Sequence, residues 1–77
     1  MRIEEITERI DVGDDVAFRC GGRHFVVCPT DEGCDIAERE TCEGRAVFPD
    51  GKTLVNEYKV DGRTIAERIN EVIMEEC

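Results

Sequence analysis

The chain has 77 residues, 40% hydrophobic and 38% charged, and its nineteen acids against ten bases give a formal net charge of −9. A chain this short buries only roughly 60% of its unfolded surface, which argues for one domain, residues 1–77, with a thin core and no deep substrate cavity. The negative charge repels phosphate backbones and anionic lipid, so it excludes nucleic-acid and membrane-surface partners and points instead to a basic protein surface.

Residues 2–10 put Ile3, Ile6 and Ile10 on one stripe of an amphipathic helix, with Glu4, Glu5, Glu8 and Arg9 elsewhere, and Gly13 ends it. Residues 16–20 then alternate, Gly21-Gly22 offers the positive φ angles of a two-residue hairpin loop, and residues 23–28 return rich in β-formers. This register sets Cys20 opposite Arg23, Arg19 opposite His24, Phe18 opposite Phe25, Val16 opposite Val27 and Asp15 opposite Cys28. One face carries Val16, Phe18, Cys20, Phe25 and Val27 toward the core; the wetter face carries Ala17, Arg19, His24, Val26 and Cys28.

Residues 29–44 are mostly polar, and residues 35–41 form a short helix or irregular connection that Gly44 stops. Residues 45–48 and 52–60 flank Pro49-Asp50-Gly51 and read as a second hairpin. In the last segment Ile65, Ile69, Val72 and Ile73 fall at helical spacing behind an Asp61 cap or a Thr64-to-Glu67 capping box, and Glu75 and Glu76 at its end oppose the helix dipole. The expected fold is α+β: helix, β-hairpin, connection, β-hairpin, helix, with an antiparallel four-stranded sheet covered on one face by the terminal helices. Its expected core is Ile3, Ile6, Ile10, Val16, Phe18, Phe25, Val27, Phe48, Leu54, Tyr58, Ile65, Ile69, Val72 and Ile73.

The absence of serine and glutamine, beside abundant glutamate and isoleucine, is a thermophile tendency. No apolar leader and no membrane-length apolar run are present, so the cytoplasm is the expected compartment. The expected state is a monomer or a small homo-oligomer.

Five cysteines, Cys20, Cys28, Cys34, Cys42 and Cys77, are the residues with the most chemistry to offer. No C-x-x-C pair opens a zinc or thioredoxin-like site. The hairpin register separates Cys20 from Cys28 by roughly 17 Å at ~3.4 Å per residue and puts them on opposite faces, too far for a shared metal or a disulfide. Cys28, Cys34 and Cys42 remain as a candidate thiol group, for one disulfide or a soft-metal site. Asp31, Glu32, Asp35 and Glu43 nearby raise thiol pKa values and favour the inert form.

The acids form a second constellation. Asp11, Asp14 and Asp15 precede the first strand and Asp31, Glu32 and Asp35 follow the second, so hairpin pairing brings both loops to one end of the ribbon. Carboxylates gathered in this way suit a hard divalent cation, calcium or magnesium, although the spacing is not that of the twelve-residue calcium loop. No other cofactor is indicated.

Without serine, with His24 alone and without a Gly-rich phosphate loop, the chain lacks hydroxyl-nucleophile triads and nucleotide-binding turns. The leading expectation is a small non-enzymatic interaction module with an acidic surface. Divalent-cation binding at the acidic loops and a thiol redox or soft-metal function at Cys28, Cys34 and Cys42 stand behind it.

Overall fold

The computed structural model describes residues 2–75. Helix α1 spans Ile3–Asp11, with Glu4 and Glu5 in its first turn and Arg9 in its last, each complementing the helix dipole. It buries Ile6 and Ile10 and ends at Gly13, whose φ of 88° is left-handed. Strands β1 (Val16–Cys20) and β2 (Arg23–Thr30) pair antiparallel in the register the sequence dictates, Val16 opposite Val27 through Cys20 opposite Arg23. Gly21 and Gly22 supply the two positive φ angles of the loop, 59° and 81°. Val16, Phe18, Cys20, Phe25 and Val27 are all buried.

The next segment departs from expectation. Residues 35–41 are not helical: Gly33–Glu38 is strand β3, which pairs with the long second strand of the first hairpin. The reason is a period of two that outweighs local polarity, since Cys34 and Ile36 turn inward and are buried while Asp35 and Ala37 alternate with them. Strand β4 is only Ala46–Phe48, beside β3.

Pro49-Asp50-Gly51 does not turn a second hairpin. Asp50 caps helix α2 (Gly51–Glu57), its Oδ1 accepting from the Thr53 amide at 2.7 Å. Leu54 and Val55, one turn into α2, are buried. Gly51 lies where α2 crosses α1, and a Cβ there would sit 3.0 Å from the Thr7 carbonyl oxygen. Of the expected strand over 52–60 only Lys59–Val60 remains, as β5. It pairs with β6 (Arg63–Thr64) through Asp61-Gly62, whose φ angles of 54° and 91° make the tight turn that Asp-Gly favours.

The expected C-terminal helix is absent. The Thr64/Glu67 capping contacts do form, with the Glu67 carboxylate accepting from the Thr64 amide at 3.0 Å and the Glu67 amide donating to the Thr64 hydroxyl at 3.2 Å. They support one turn only. A 3-10 turn follows at Ile69–Glu71, and Val72–Glu75 is strand β7, antiparallel to β1. Val72 and Met74 face inward and Ile73 and Glu75 outward, so the side chains alternate as a strand requires at the free edge of β1, which leaves Ile73 half exposed. Glu75 therefore stands in a strand rather than against a helix dipole; Glu76 and Cys77 lie outside the described residues.

The sheet thus has five strands, in the order β4-β3-β2-β1-β7, with the β5-β6 hairpin apart from it. The covering helices are α1 and the internal α2. Ile6 and Ile10 of α1, Leu54 and Val55 of α2, and Val60 and Ile65 pack against the inward residues of the sheet. Ile3, Phe48, Tyr58 and Ile69 are only partly buried against this cluster, and Ile73, expected inside, is half exposed. Ala17, Cys34, Ile36, Val55 and Val60 join the buried set. No helix among the described residues is long and apolar enough to cross a membrane.

Candidate functional site

Segment 2–15 holds six acids and two arginines. Amphipathicity fixes where they go: Ile6 and Ile10 anchor α1 to the sheet, so Glu4, Glu5 and Glu8 are held in solvent, followed by Asp14 and Asp15 in the loop. Glu4 pairs loosely with Arg2 at 3.8 Å, and among the described residues Glu5, Glu8 and Asp14 have no ion-pair partner. At another part of the surface the cations are already neutralised. Arg23 pairs with Glu38 and Asp61, and Arg68 pairs with Asp61 and Glu71 while donating to the Val60 carbonyl at 2.8 Å.

Two shallow clefts meet at Asp11. One, of about 390 Å³, lies between the helices and is lined by Ile3, Glu4, Thr7, Asp11, Lys52, Val55 and Asn56. The other, of about 270 Å³, lies between the end of α1, the β2–β3 turn and the start of α2, and is lined by Ile10, Asp11, Gly13, Pro29, Thr30, Gly33, Cys34, Pro49 and Asp50. Asp11 accepts the Gly51 amide at 2.8 Å through Oδ1, which fastens the two helices at this junction. The Asp50 carboxyl is held below the usual carboxylate range by hydrogen bonds from the Thr53 hydroxyl and amide.

The six acids proposed for a cation occupy separate places. Asp11 is in the junction, Asp14 and Asp15 are on the exposed α1–β1 loop, and Asp31 and Glu32 form the β2–β3 turn beside a different hollow that includes Arg45 and Val47. Asp35 accepts from Arg45 Nε at 3.2 Å and Nη2 at 3.0 Å. Among the described residues no three His, Cys, Asp or Glu side chains are grouped to hold an ion.

The thiols are also separated. Cys34 is inward and 2% exposed, its Sγ donating to the Phe48 carbonyl at 3.6 Å; burial pushes its pKa up, and Asp11, Asp50 and Asp35 add to the rise. Cys28, in the register position opposite Asp35, faces the other side of the sheet. Cys42 is exposed at the far end of β3, with a left-handed φ of 58° and its amide on the Glu38 carbonyl. No disulfide joins any two of the described cysteines. Cys20, in the core, is likewise shifted up by burial, with Arg68 opposing.

His24, on the wetter face of the first hairpin, is partly buried and within 2.8 Å of Glu75. Sequence reading misses this pair because it assigns Glu75 to a helix end. It also reads Glu4, Glu5 and Glu8 only as the polar side of α1. That Glu5 and Glu8 find no ion-pair partner among the described residues is a tertiary property, although the excess of acids in the first fifteen residues already signals it. No family model, curated protein or solved structure matches the chain.

Proposed function

We propose that the protein is a non-enzymatic interaction module whose acidic helical side docks a basic protein surface. The observation that carries this reading is the uncompensated charge of α1 and the following loop, where Glu5, Glu8 and Asp14 are exposed without ion-pair partners among the described residues. Charge of one sign at a rim steers encounter and selects partners more than it adds raw affinity. The clefts at Asp11 support the same reading. Ile3, Ile10 and Val55 offer apolar walls for the methylene stem of a lysine or arginine, and Glu4, Asp11 and Asp50 stand where its charged head would emerge. The cytoplasm is the setting this reading takes.

The divalent-cation and thiol readings draw less support. The first has carboxylates already engaged, Asp11 with Gly51 and Asp35 with Arg45 among them, and the second has its three thiols in different environments.

A lysine-rich peptide is the probe that tests the proposal. Calorimetric titration at about 0.02 M and about 0.3 M salt should give binding that weakens steeply as charges are screened. Combined replacement Glu5→Gln, Glu8→Gln and Asp14→Asn should weaken it at low salt. Binding that ignores both salt and these replacements would overturn the reading.

A further inference from the structure

The sheet buries one face under α1, α2 and the β5–β6 hairpin and turns the other to solvent. An antiparallel sheet of this kind usually carries polar residues outward. Here the outward positions include Ala17, Val26, Ala37, Val47 and Ile73. Val47 is 45% exposed and Ile73 50%, on the two edge strands, and the one other large apolar side chain exposed among the described residues is Val12, at the end of α1.

Charge is partitioned in the same way. The outward face carries Arg19 and Arg45 against Asp35 and Glu75, and the ends of its strands add Arg39 opposite His24 and Asp15 opposite Cys28, three of each sign in a chain of net charge −9. Asp35 and Glu75 each have a partner in place, Asp35 in an ion pair with Arg45 at 3.0 Å and Glu75 in a hydrogen-bonding contact with His24 at 2.8 Å. Other acids stand at the rim, Asp31 and Glu32 beside Val47 and Glu40 near His24.

We infer that two copies of the chain pack against each other through this outward sheet face. A second copy is the occupant that the charges favour. Contact through the α1 side would set acid against acid, whereas this face presents both signs in equal number and can meet its own image across a two-fold axis, as an isologous interface requires. Five strands at ~4.8 Å spacing and about five residues at ~3.4 Å give a footprint of roughly 400 Å² per copy, which places the dimer at the weak end of specific interfaces. The thin core of a chain this short also gains from such burial. The dimer leaves both acidic helical sides facing outward.

Sedimentation velocity on the full chain, from about 10 μM to about 1 mM, tests this, because a weak interface dissociates within that range. The expected result is a concentration-dependent rise from 8.7 kDa toward twice that mass. Val47→Lys and Ile73→Lys, at exposed positions that spare the core, should each raise the dissociation constant at least about tenfold, while Val12→Lys leaves it unchanged. NMR on concentrated protein should shift the methyl groups of Val26, Ala37 and Val47 and leave hydrogen exchange of the β7 amides as it is in dilute solution. Three results would each overturn the inference: a monomer at the highest concentration, a dimer weakened as much by Val12→Lys, or new protection of β7 amides, which marks edge-to-edge strand pairing instead. Loss of peptide binding by the Glu5, Glu8 and Asp14 replacements bears on the acidic side alone, so the two ideas fail separately.

Discussion

His24 and Glu75, 51 positions apart in sequence, meet at 2.8 Å across strand β1. Each belongs to a strand that flanks β1, His24 opposite Arg19 and Glu75 opposite Ala17, so the contact crosses β1 diagonally on the face that points away from the core. The contact is therefore a clasp between the last strand and the first hairpin. Replacing His24 with alanine should cost under about 1 kcal/mol, as for a partly exposed pair. Its effect should be local: hydrogen exchange at β7 speeds up while exchange in β2 and β3 is unchanged. Uniform acceleration across the sheet would show that the pair does not act as a clasp.

The cysteines should react in an order set by burial. Cys42 is exposed, whereas Cys20 and Cys34 are buried and their thiols are shifted toward the protonated, unreactive form. Alkylation of the native protein followed by mass spectrometry should label Cys42 first among the described cysteines, with Cys20 and Cys34 labelled only on unfolding. Early labelling of Cys34 would mean that the cleft beside it opens in solution.

Acid should loosen the α2 cap. In the folded state Asp50 is shifted down by Thr53, Glu67 by Thr64 and Glu71 by Arg68, so each binds a proton less readily than in the unfolded chain. Their contribution is complete above the unfolded carboxylate values of about 4 and is lost as pH falls through the lower folded values. Asp50→Ala should thus lower the melting temperature at neutral pH, and the gap to the parent protein should narrow as pH falls below the ordinary carboxylate value of about 4. Asp50→Asn, which keeps a capping oxygen without a titrating proton, should lose less on acidification than the parent does. A gap that stays constant with pH would contradict this assignment of the cap.

Divalent cations should not bind the acidic loops as one site. Asp14 and Asp15 lie on one loop, Asp31 and Glu32 on another, and Asp35 is held by Arg45. Calcium at millimolar concentration should produce only gradual, unlinked amide shifts in NMR. Saturable shifts of both loops with a single midpoint would reinstate the cation site.

The first helix and hairpin, residues 2–28, are legible in the sequence because each signal there has one reading, whereas residues 33–38, in a mostly polar stretch, hide a strand whose buried residues are only Cys34 and Ile36. Ile3, Ile6 and Ile10 fit only a helix, and Gly21-Gly22 between alternating runs fixes loop and register together. The carboxyl-terminal half misleads because its signals serve two structures. Asp50-Gly51 suits a turn as well as a helix start, and the Thr53 amide decides for the helix. Ile65, Ile69, Val72 and Ile73 fit a helical stripe, yet the free edge of β1 offers backbone partners that a strand can use and a helix cannot. For the site, the excess of acids is visible in the sequence, but which of them an arginine engages depends on strand pairings, such as Asp35 beside Val47 and within reach of Arg45, that only the fold creates.

The most direct measurement of the central claim is the NMR footprint of a lysine-rich peptide on isotopically labelled protein at low salt. Amide shifts should concentrate in α1 and residues 12–15, extend to Gly51 and Lys52 beside the Asp11 junction, and vanish when salt is raised. Shifts confined to the Asp31–Glu32 turn or to the outward sheet face, with α1 silent, would contradict the account.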